Sequence, residues 1–277
     1  MTPFFSVIVP TYNRRKHVER LLELLSRQRF TGFEVIVADQ TSGAEIIPPD
    51  RYEFHLRYLI LDTPGATRAR NVAIREASGQ VVAFTDDDCE PEFEWLANAE
   101  PYFKDKEVAG LEGRIESGKP GPDCPYLVSN FGLEGLGFLT ANLFIRNELF
   151  RELGGFDERF DSPHFREDTD LGWRALQLGA LPFAKEVRVF HPAVERPGVG
   201  VLKRFVQDAL LCHKDPARFL RLAKAEGHFR RPGYWQAFTE GVVRHQVSVP
   251  LEDLRPLMGP GRYELLKELS LTLKLNS

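Results

Sequence analysis

The stretch Val81-Val82-Ala83-Phe84-Thr85-Asp86-Asp87-Asp88 decides how this chain is read. Four apolar residues between polar ones read as a short buried strand. Three consecutive carboxylates at its end repel one another unless a positive charge sits among them. Side chains alternate along an extended segment, so Asp86 and Asp88 should share one side and Asp87 the other. Two convergent carboxylates at the carboxyl end of a buried strand suit a divalent cation that also holds a diphosphate. Taken alone, the stretch also reads as a solvated acidic turn.

The flanking pattern extends the strand reading. Phe5 to Val9 is an apolar run that ends at Pro10-Thr11-Tyr12-Asn13, and Val18, Leu21, Leu22 and Leu25 then recur at helical spacing. Phe33 to Ala38 is the next strand, ending at Asp39, and Leu56 to Leu61 is a third. Thr67 to Ala77 reads as a helix stopped by Ser78-Gly79. Strands alternating with helices imply βαβ units and a parallel sheet, whose carboxyl ends bind ligands. Downstream, the pattern predicts a helix over Pro91 to Tyr102 and an irregular excursion over the Gly- and Pro-rich Gly110 to Phe131. It then predicts a strand over Phe138 to Ile145, short helices over Glu148 to Leu153 and Asp168 to Leu178, and a last strand over Val187 to Phe190. A helical tail broken by prolines follows Gly200.

The chain has 277 residues, 43% hydrophobic and 27% charged, with a formal net charge of -4, which argues against bulk capture of nucleic acid. From Val201 onward 13 basic residues face 8 acidic ones, a balance of +5, and the remainder stands at -9. Cys89, Cys124 and Cys212 match neither a disulfide framework nor a zinc spacing, so a reducing cytoplasm is the expected setting. No basic, then apolar, leader opens the chain, and no apolar stretch is long enough to span a bilayer.

Several motifs now stand in order. Ser6 to Arg14, Glu34 to Asp39, Ala69-Arg70-Asn71, Asp86-Asp87-Asp88, Gly154-Gly155-Phe156-Asp157-Glu158 and Glu167-Asp168-Thr169-Asp170-Leu171 together resemble the family 2 glycosyltransferases of the GT-A fold. The resemblance covers Ser6 to His191. It implies an α/β fold: a Rossmann-like nucleotide-binding, mostly parallel sheet flanked by helices over residues 1–200, with a helical C-terminal extension over 201–277. Three features depart from the family pattern, one being the continuation Asn71-Val72-Ala73 without the glycine often found there. Gln40-Thr41-Ser42 follows Asp39, where the family more often has Asp or Asn, then Gly, then Ser. The tail lacks the Gln-x-x-Arg-Trp motif of processive synthases, which favours a single transfer per encounter.

The resemblance also implies roles. The reaction is an inverting transfer of a sugar from a nucleotide-diphosphate donor, a UDP-sugar ahead of thymidine or guanosine diphosphate sugars. Asp88 and His191 would ligate Mn²⁺ or Mg²⁺, with His191 tilting the choice toward Mn²⁺. Asp86 would serve the donor ribose or a metal-bound water. Asp87 falls within the donor-binding set by position, although alternation makes it structural. Asp39 would accept from the imide N–H of uracil or thymine, and Pro10, Thr11 and Asn13 would line the nucleotide. Arg68 or Arg70 would neutralise diphosphate charge. Asp168 would be the base, with Glu167 orienting it or binding the acceptor. Acids are also favoured at a helix first turn by the dipole alone.

Two other classes share part of this pattern. A sugar nucleotidyltransferase should carry a Gly-rich phosphate loop, and Pro10-Thr11-Tyr12-Asn13-Arg14 has no glycine. A carbohydrate-binding scaffold of the same fold would tolerate loss of the base carboxylate, and every acidic position is present. The partners expected are a nucleotide-sugar donor and a saccharide or lipid-linked acceptor, in polysaccharide, glycolipid or cell-envelope glycan synthesis. For the tail two readings stay open. Lys203, Arg204, Arg230 and Arg231 suit peripheral contact with the inner face of the cell membrane, and Leu265, Leu266, Leu269 and Leu273 suit a homodimer contact.

Overall fold

Phe5–Thr11 (β1) and Phe33–Asp39 (β2) are buried along their whole length. Strands of that kind need cover on both faces, which parallel sheets obtain from crossover helices. In the computed structural model, which describes residues 2–119, 128–193 and 202–275, β1 pairs in parallel with β2 and with Val81–Phe84 (β4). β2 pairs in parallel with His55–Ile60 (β3). Glu90–Pro91 (β5), Gly110–Ser117 (β6), Leu143–Arg146 (β7) and Phe183–His191 (β8) complete an eight-stranded sheet of order β3-β2-β1-β4-β7-β6-β8-β5. β7 runs against β4 and β6, β5 runs against β8, and β8 is parallel to β6. The carboxyl ends of β1, β2, β4, β6 and β8 therefore meet one edge. Thr11, Asp39, Ser117 and His191 are the last residues of their strands there, and Asp86 follows two residues after β4.

Helices cover both faces. Arg15–Leu25 (α1) buries Val18, Leu21, Leu22 and Leu25, the four positions of the helical repeat. They join Val7, Val9, Val35, Val37 and the Trp95–Ala99 helix (α3) in one core. Each such side chain contributes about 1.5–3 kcal/mol by leaving water. On the opposite face Ala66–Arg75 (α2) packs against β1 and β2. There Phe84 meets Phe150 of Asn147–Glu152 (α4) and Phe156, with centroids 6.0 and 5.3 Å apart.

Four expectations are corrected. Gly110–Ser117 is a strand inside the sheet rather than an irregular excursion. Its glycines are not breakers: a Cβ at Gly110 would lie 2.4 Å from the Phe144 carbonyl, and one at Gly113 would lie 2.3 Å from the Asn142 amide. They admit close approach of neighbouring groups. The helix expected from Pro91 begins at Trp95, because Pro91 sits in edge strand β5, where a missing N–H is tolerated. The strand expected over Phe138 to Ile145 is confined to β7, after a 3₁₀ turn at Thr140–Asn142. β8 starts four residues earlier than expected.

The chain divides into two compact units, residues 1–161 with 167–195, and residues 162–166 with 196–277. Cys124 and the expected boundary at 200/201 lie outside the described residues. The second unit is built from helices Val206–Lys214, Pro216–Ala225, Tyr234–His245 and Pro260–Leu275 around Phe205, Phe219, Tyr234 and Phe238. Its interior holds Arg166, bonded to Asp208 (2.8 Å) and Glu226 (2.5 Å). Burial alone would raise the Asp208 carboxyl, but Arg166 and His228 hold it below its ordinary value. Leu266 is fully buried in this unit and Leu265 is 48% exposed, so these leucines do not form one outward stripe. The side chain of Leu273 lies outside the described residues. No helix among the described residues is long and apolar enough to cross a membrane.

One buried carboxylate near the opposite edge ties the first strands to the turn that follows α2. Glu34 accepts from Ser6 Oγ (2.6 Å), Ser78 N (2.7 Å) and Ser78 Oγ (2.8 Å). Burial alone would raise its pKa, but these hydrogen bonds and the Arg57 charge hold it below 4.5. A lowered folded pKa stabilises the fold above the unfolded value, and that stabilisation is lost as pH falls through the folded one. Glu34→Gln is expected to destabilise the protein by about 2 kcal/mol at neutral pH, and by progressively less below pH 4.5. Urea unfolding across roughly pH 3 to 7 measures both limbs.

Candidate active site

β4 ends at Phe84, and the chain turns back at once, with Cys89 N donating to the Asp86 carbonyl (3.1 Å). The acidic trio thus lies in a turn rather than on an extended strand. Asp86 and Asp88 both face His191, and turn geometry rather than strand alternation aims them there. Each gives one oxygen to an arginine and turns the other toward His191. Asp86 Oδ1 accepts from Arg70 Nη2 (2.8 Å), and its Oδ2 lies 4.0 Å from His191 Nε2. Asp88 Oδ2 accepts from Arg14 Nη1 (2.8 Å), and its Oδ1 lies 3.4 Å from His191 Nε2. Asp87 points into the protein. It accepts from Thr11 Oγ1 (2.6 Å) and Arg14 Nη1 (3.1 Å), and burial raises its carboxyl pKa against both contacts.

His191 has a defined orientation. Its Nδ1 lies 2.8 Å from the Pro192 carbonyl oxygen. A carbonyl only accepts, so hydrogen-bond logic puts the proton on Nδ1 and leaves Nε2 as a lone pair in the neutral ring. That lone pair faces two carboxylate oxygens. Three electron-rich atoms gathered this way are stabilised by a cation among them. Two carboxylates and an imidazole fit Mn²⁺, and Mg²⁺ less well. The ligand atoms that all lie within 4.8 Å of one another are those of Asp86, Cys89 and His191, and Asp88 joins them only through its approach to His191. Burial, then the Asp86 charge, push the Cys89 thiol well above its ordinary pKa. A protonated thiol is a poor ligand for a hard cation.

α2 connects the acidic turn to the other acidic motif. Arg70 is buried, and its Nη1 donates to Glu167 Oε1 (3.2 Å) while Nη2 holds Asp86. Burial alone would lower the guanidinium pKa, but the charges of Asp86, Glu167 and Asp168 keep it raised. Next to it, Asn71 donates to the Phe156 carbonyl (3.0 Å) and accepts from Phe156 N (2.9 Å), clamping the Gly154-Gly155 loop. Asp161 caps α2 by accepting from Thr67 N (2.9 Å) and Arg68 N (3.1 Å). Glu167 and Asp168 open Glu167–Ala175 (α5). Glu167 is buried and Asp168 half-buried. Asp168 Oδ1 accepts from Thr169 N (2.7 Å) in the first turn of the helix. Thr169 Oγ1 and Trp173 Nε1 donate to the carbonyls of Gly137 and Leu136, which locks α5 in place.

On the far side of β1, Asp39 is buried, accepting from Tyr58 OH (2.5 Å) and Thr41 N (2.8 Å). A carboxylate offers about four lone-pair sites, so acceptor capacity remains. Gln40, the departure from the family pattern, ties two loops together by donating to the Thr11 carbonyl (3.4 Å) and accepting from Gly65 N. Asn13 sits at φ 55° with its N–H on Thr41 Oγ1 (2.7 Å). Pro10 is buried within β1. The structure separates the two candidate arginines: Arg70 is committed to buried carboxylates, and the Arg68 side chain is half exposed. Sequence reasoning assigned no role to Arg14 or Tyr58. Arg14 was legible as a cation just past a strand end. Tyr58 lies on the neighbouring strand, and nothing local in the sequence pairs it with Asp39.

Residues 6–166 match the family model described as glycosyl transferase family 2. The chain belongs to this family. It is similar to glycosyltransferase AglE of Haloferax volcanii, at 30% identity over 73% of this chain and 70% of that protein. Its fold matches the crystal structure of Staphylococcus aureus TarS residues 1–349, with TM-score 0.67, 22% identity, and 97% of this chain and 88% of that chain covered. TarS has also been solved in complex with UDP-GlcNAc. A third likeness is mannosyltransferase PcManGT from Pyrobaculum calidifontis in complex with GDP-Man and Mn²⁺, with TM-score 0.60, 21% identity, and 97% and 79% covered. The sheet with flanking helices and a helical C-terminal region is thus the GT-A fold, and the chain is a glycosyltransferase.

The Arg70 bridge makes a direct prediction. Removing one partner of a buried ion pair leaves the other charge uncompensated, so Arg70→Ala should cost about 3–5 kcal/mol. Arg70→Met combined with Glu167→Gln should cost less than the two single changes together, and a double-mutant cycle in urea measures the coupling.

Proposed function

We propose that this glycosyltransferase is metal-dependent and inverting, and moves one sugar from a UDP-sugar to an acceptor hydroxyl. The observation that carries this reading is the convergence of Asp86, Asp88 and the His191 Nε2 lone pair at the carboxyl edge of the sheet. TarS in complex with UDP-GlcNAc and PcManGT in complex with GDP-Man and Mn²⁺ share the fold and support a nucleotide-sugar donor. Asp88 and His191 would hold the cation, with Asp86 beside them serving the ribose or a cation-bound water. Bound there, the ion would stabilise the charge that grows on the departing diphosphate.

The protein's own groups do the rest. Asp39 receives the imide N–H of the base, and Pro10, Thr11 and Asn13 line the nucleotide. Tyr58 keeps its proton, because burial and its bond to Asp39 raise the hydroxyl pKa, so it holds Asp39 as a donor. Arg14 and Arg68 supply positive charge to the diphosphate side. Asp168 takes the proton of the acceptor hydroxyl as its oxygen bonds to the anomeric carbon. The bond from that carbon to the diphosphate oxygen breaks on the opposite face, and its electrons leave with the nucleoside diphosphate. Glu167, fixed by Arg70, holds the first turn of α5 in register. The acceptor is a saccharide or lipid-linked glycan. Exposed Lys203, Arg230 and Arg231 on the second unit suit peripheral contact with anionic lipid.

Calorimetry with UDP and Mn²⁺ is expected to show metal-dependent binding to the wild type and none to Asp88→Ala. Asp168→Ala should retain that binding but lose turnover by about 10²–10⁴-fold, read as UDP release in a nucleotide-sugar screen. Full activity in both variants would exclude the assignment. In liposome flotation, the protein should associate with anionic vesicles at low salt and dissociate at high salt.

A further inference from the structure

A second concave feature lies at the same edge of the sheet. A cavity of about 300 Å³ opens between the carboxyl half of β6 and residues 129–134. Its volume is at the lower end for small-ligand sites. Ser117, at the end of β6, pairs with His191 in register, and Ser117 Oγ donates to the His191 carbonyl (3.1 Å). Ser117, which lines the cavity, thus links it to the backbone of His191. The segment on its other side continues to Leu136 and Gly137, whose carbonyls hold α5 and hence Asp168.

The cavity floor is built rather than accidental. Asn130 is buried and fully used: Nδ2 donates to Glu112 Oε1 (3.1 Å) and the Gly113 carbonyl (2.8 Å), and Oδ1 accepts from Ile115 N (3.0 Å). Gly135 N donates to Glu112 Oε2 (2.7 Å), and Ser129 Oγ donates to the Ile115 carbonyl (3.2 Å). Residues 129–135 are thus pinned to β6, and the pinned loop holds Phe131 outward at 82% exposure. No other large apolar side chain among the described residues is as exposed.

The polar lining selects the ligand class. The lining carries two carboxylates, Glu116 and Glu134, and one guanidinium, Arg114, which stands 5.5 Å from the Phe183 ring centroid. Net negative charge repels a phosphate-bearing polymer. Carboxylates accept from hydroxyl groups, and an exposed aromatic face takes up the apolar C–H face of a sugar ring. We propose that this cavity binds a neutral saccharide unit of the acceptor, stacked on Phe131 and hydrogen-bonded by Glu116 and Glu134. The proposal rests on the acceptor side of the function proposed above. It assigns the residues that choose which glycan reaches Asp168.

Saturation-transfer NMR on the full chain, without nucleotide or metal, tests it. The probes are methyl β-glucoside, methyl α-mannoside and N,N′-diacetylchitobiose, with ribitol 5-phosphate as the anionic control. At least one neutral saccharide should give a signal that falls about tenfold in Phe131→Ala, falls in Glu134→Gln, and persists in Asp88→Ala. The calorimetric UDP titration should be unchanged in Phe131→Ala. No saccharide signal, an equal signal in Phe131→Ala, or a signal from ribitol 5-phosphate alone would overturn the proposal. A saccharide signal that depends on Phe131 in a protein that fails to bind UDP would uphold the cavity and overturn the donor reading.

Discussion

The buried guanidinium of Arg70, held between Asp86 and Glu167, is the interaction on which the site depends. A charge this deep is tolerated only because carboxylates meet it on both sides. The bond to Asp86 orients the acidic turn. The bond to Glu167 anchors the first turn of α5, where Asp168 stands. One side chain thus ties the acidic turn after β4 to the first turn of α5. Its Nε has no hydrogen-bond partner among the described residues, so its hydrogen bonds to carboxylates come from the two Nη groups.

The charge balance around that bridge explains the chemistry. Asp86, Asp87, Asp88, Glu167 and Asp168 bring five carboxylates, and Arg14 and Arg70 bring two guanidiniums, a formal excess of three negative charges. Thr11 and Arg14 absorb Asp87 into the structure. The remaining excess is concentrated where Asp86 and Asp88 face His191. On the reading proposed above, a divalent cation with a diphosphate would complement that excess.

Much of this was legible locally. The apolar runs of β1, β2 and β4, the α1 repeat and the Asp39 and Asp86–Asp88 positions follow from period and punctuation. β6 was not legible, because Gly110 and Gly113 look like breakers until the Phe144 carbonyl and the Asn142 amide are seen where their Cβ atoms would be. Pro91 misled for a related reason: proline opens helices but also sits in edge strands. Arg14 and Tyr58 escaped because each acts on a carboxylate from another segment. The spacings to Asp88 and Asp39 carry no period that a local pattern could detect.

The amino-acid sequence by itself determined the order of elements from β1 to β4, the acidic strand end and the ordered motifs that mark family 2. It could do so because periodicity, turn residues and short motifs are local properties of the chain. The tertiary structure alone decided how the Asp86–Asp88 trio is divided. Asp86 goes to Arg70, Asp87 to Thr11 and Arg14, and Asp88 to Arg14 and His191. Those partners come from β1, α2, β8 and the loop after β1. Only the parallel sheet, by bringing its strand ends to one edge, gathers them around the same turn.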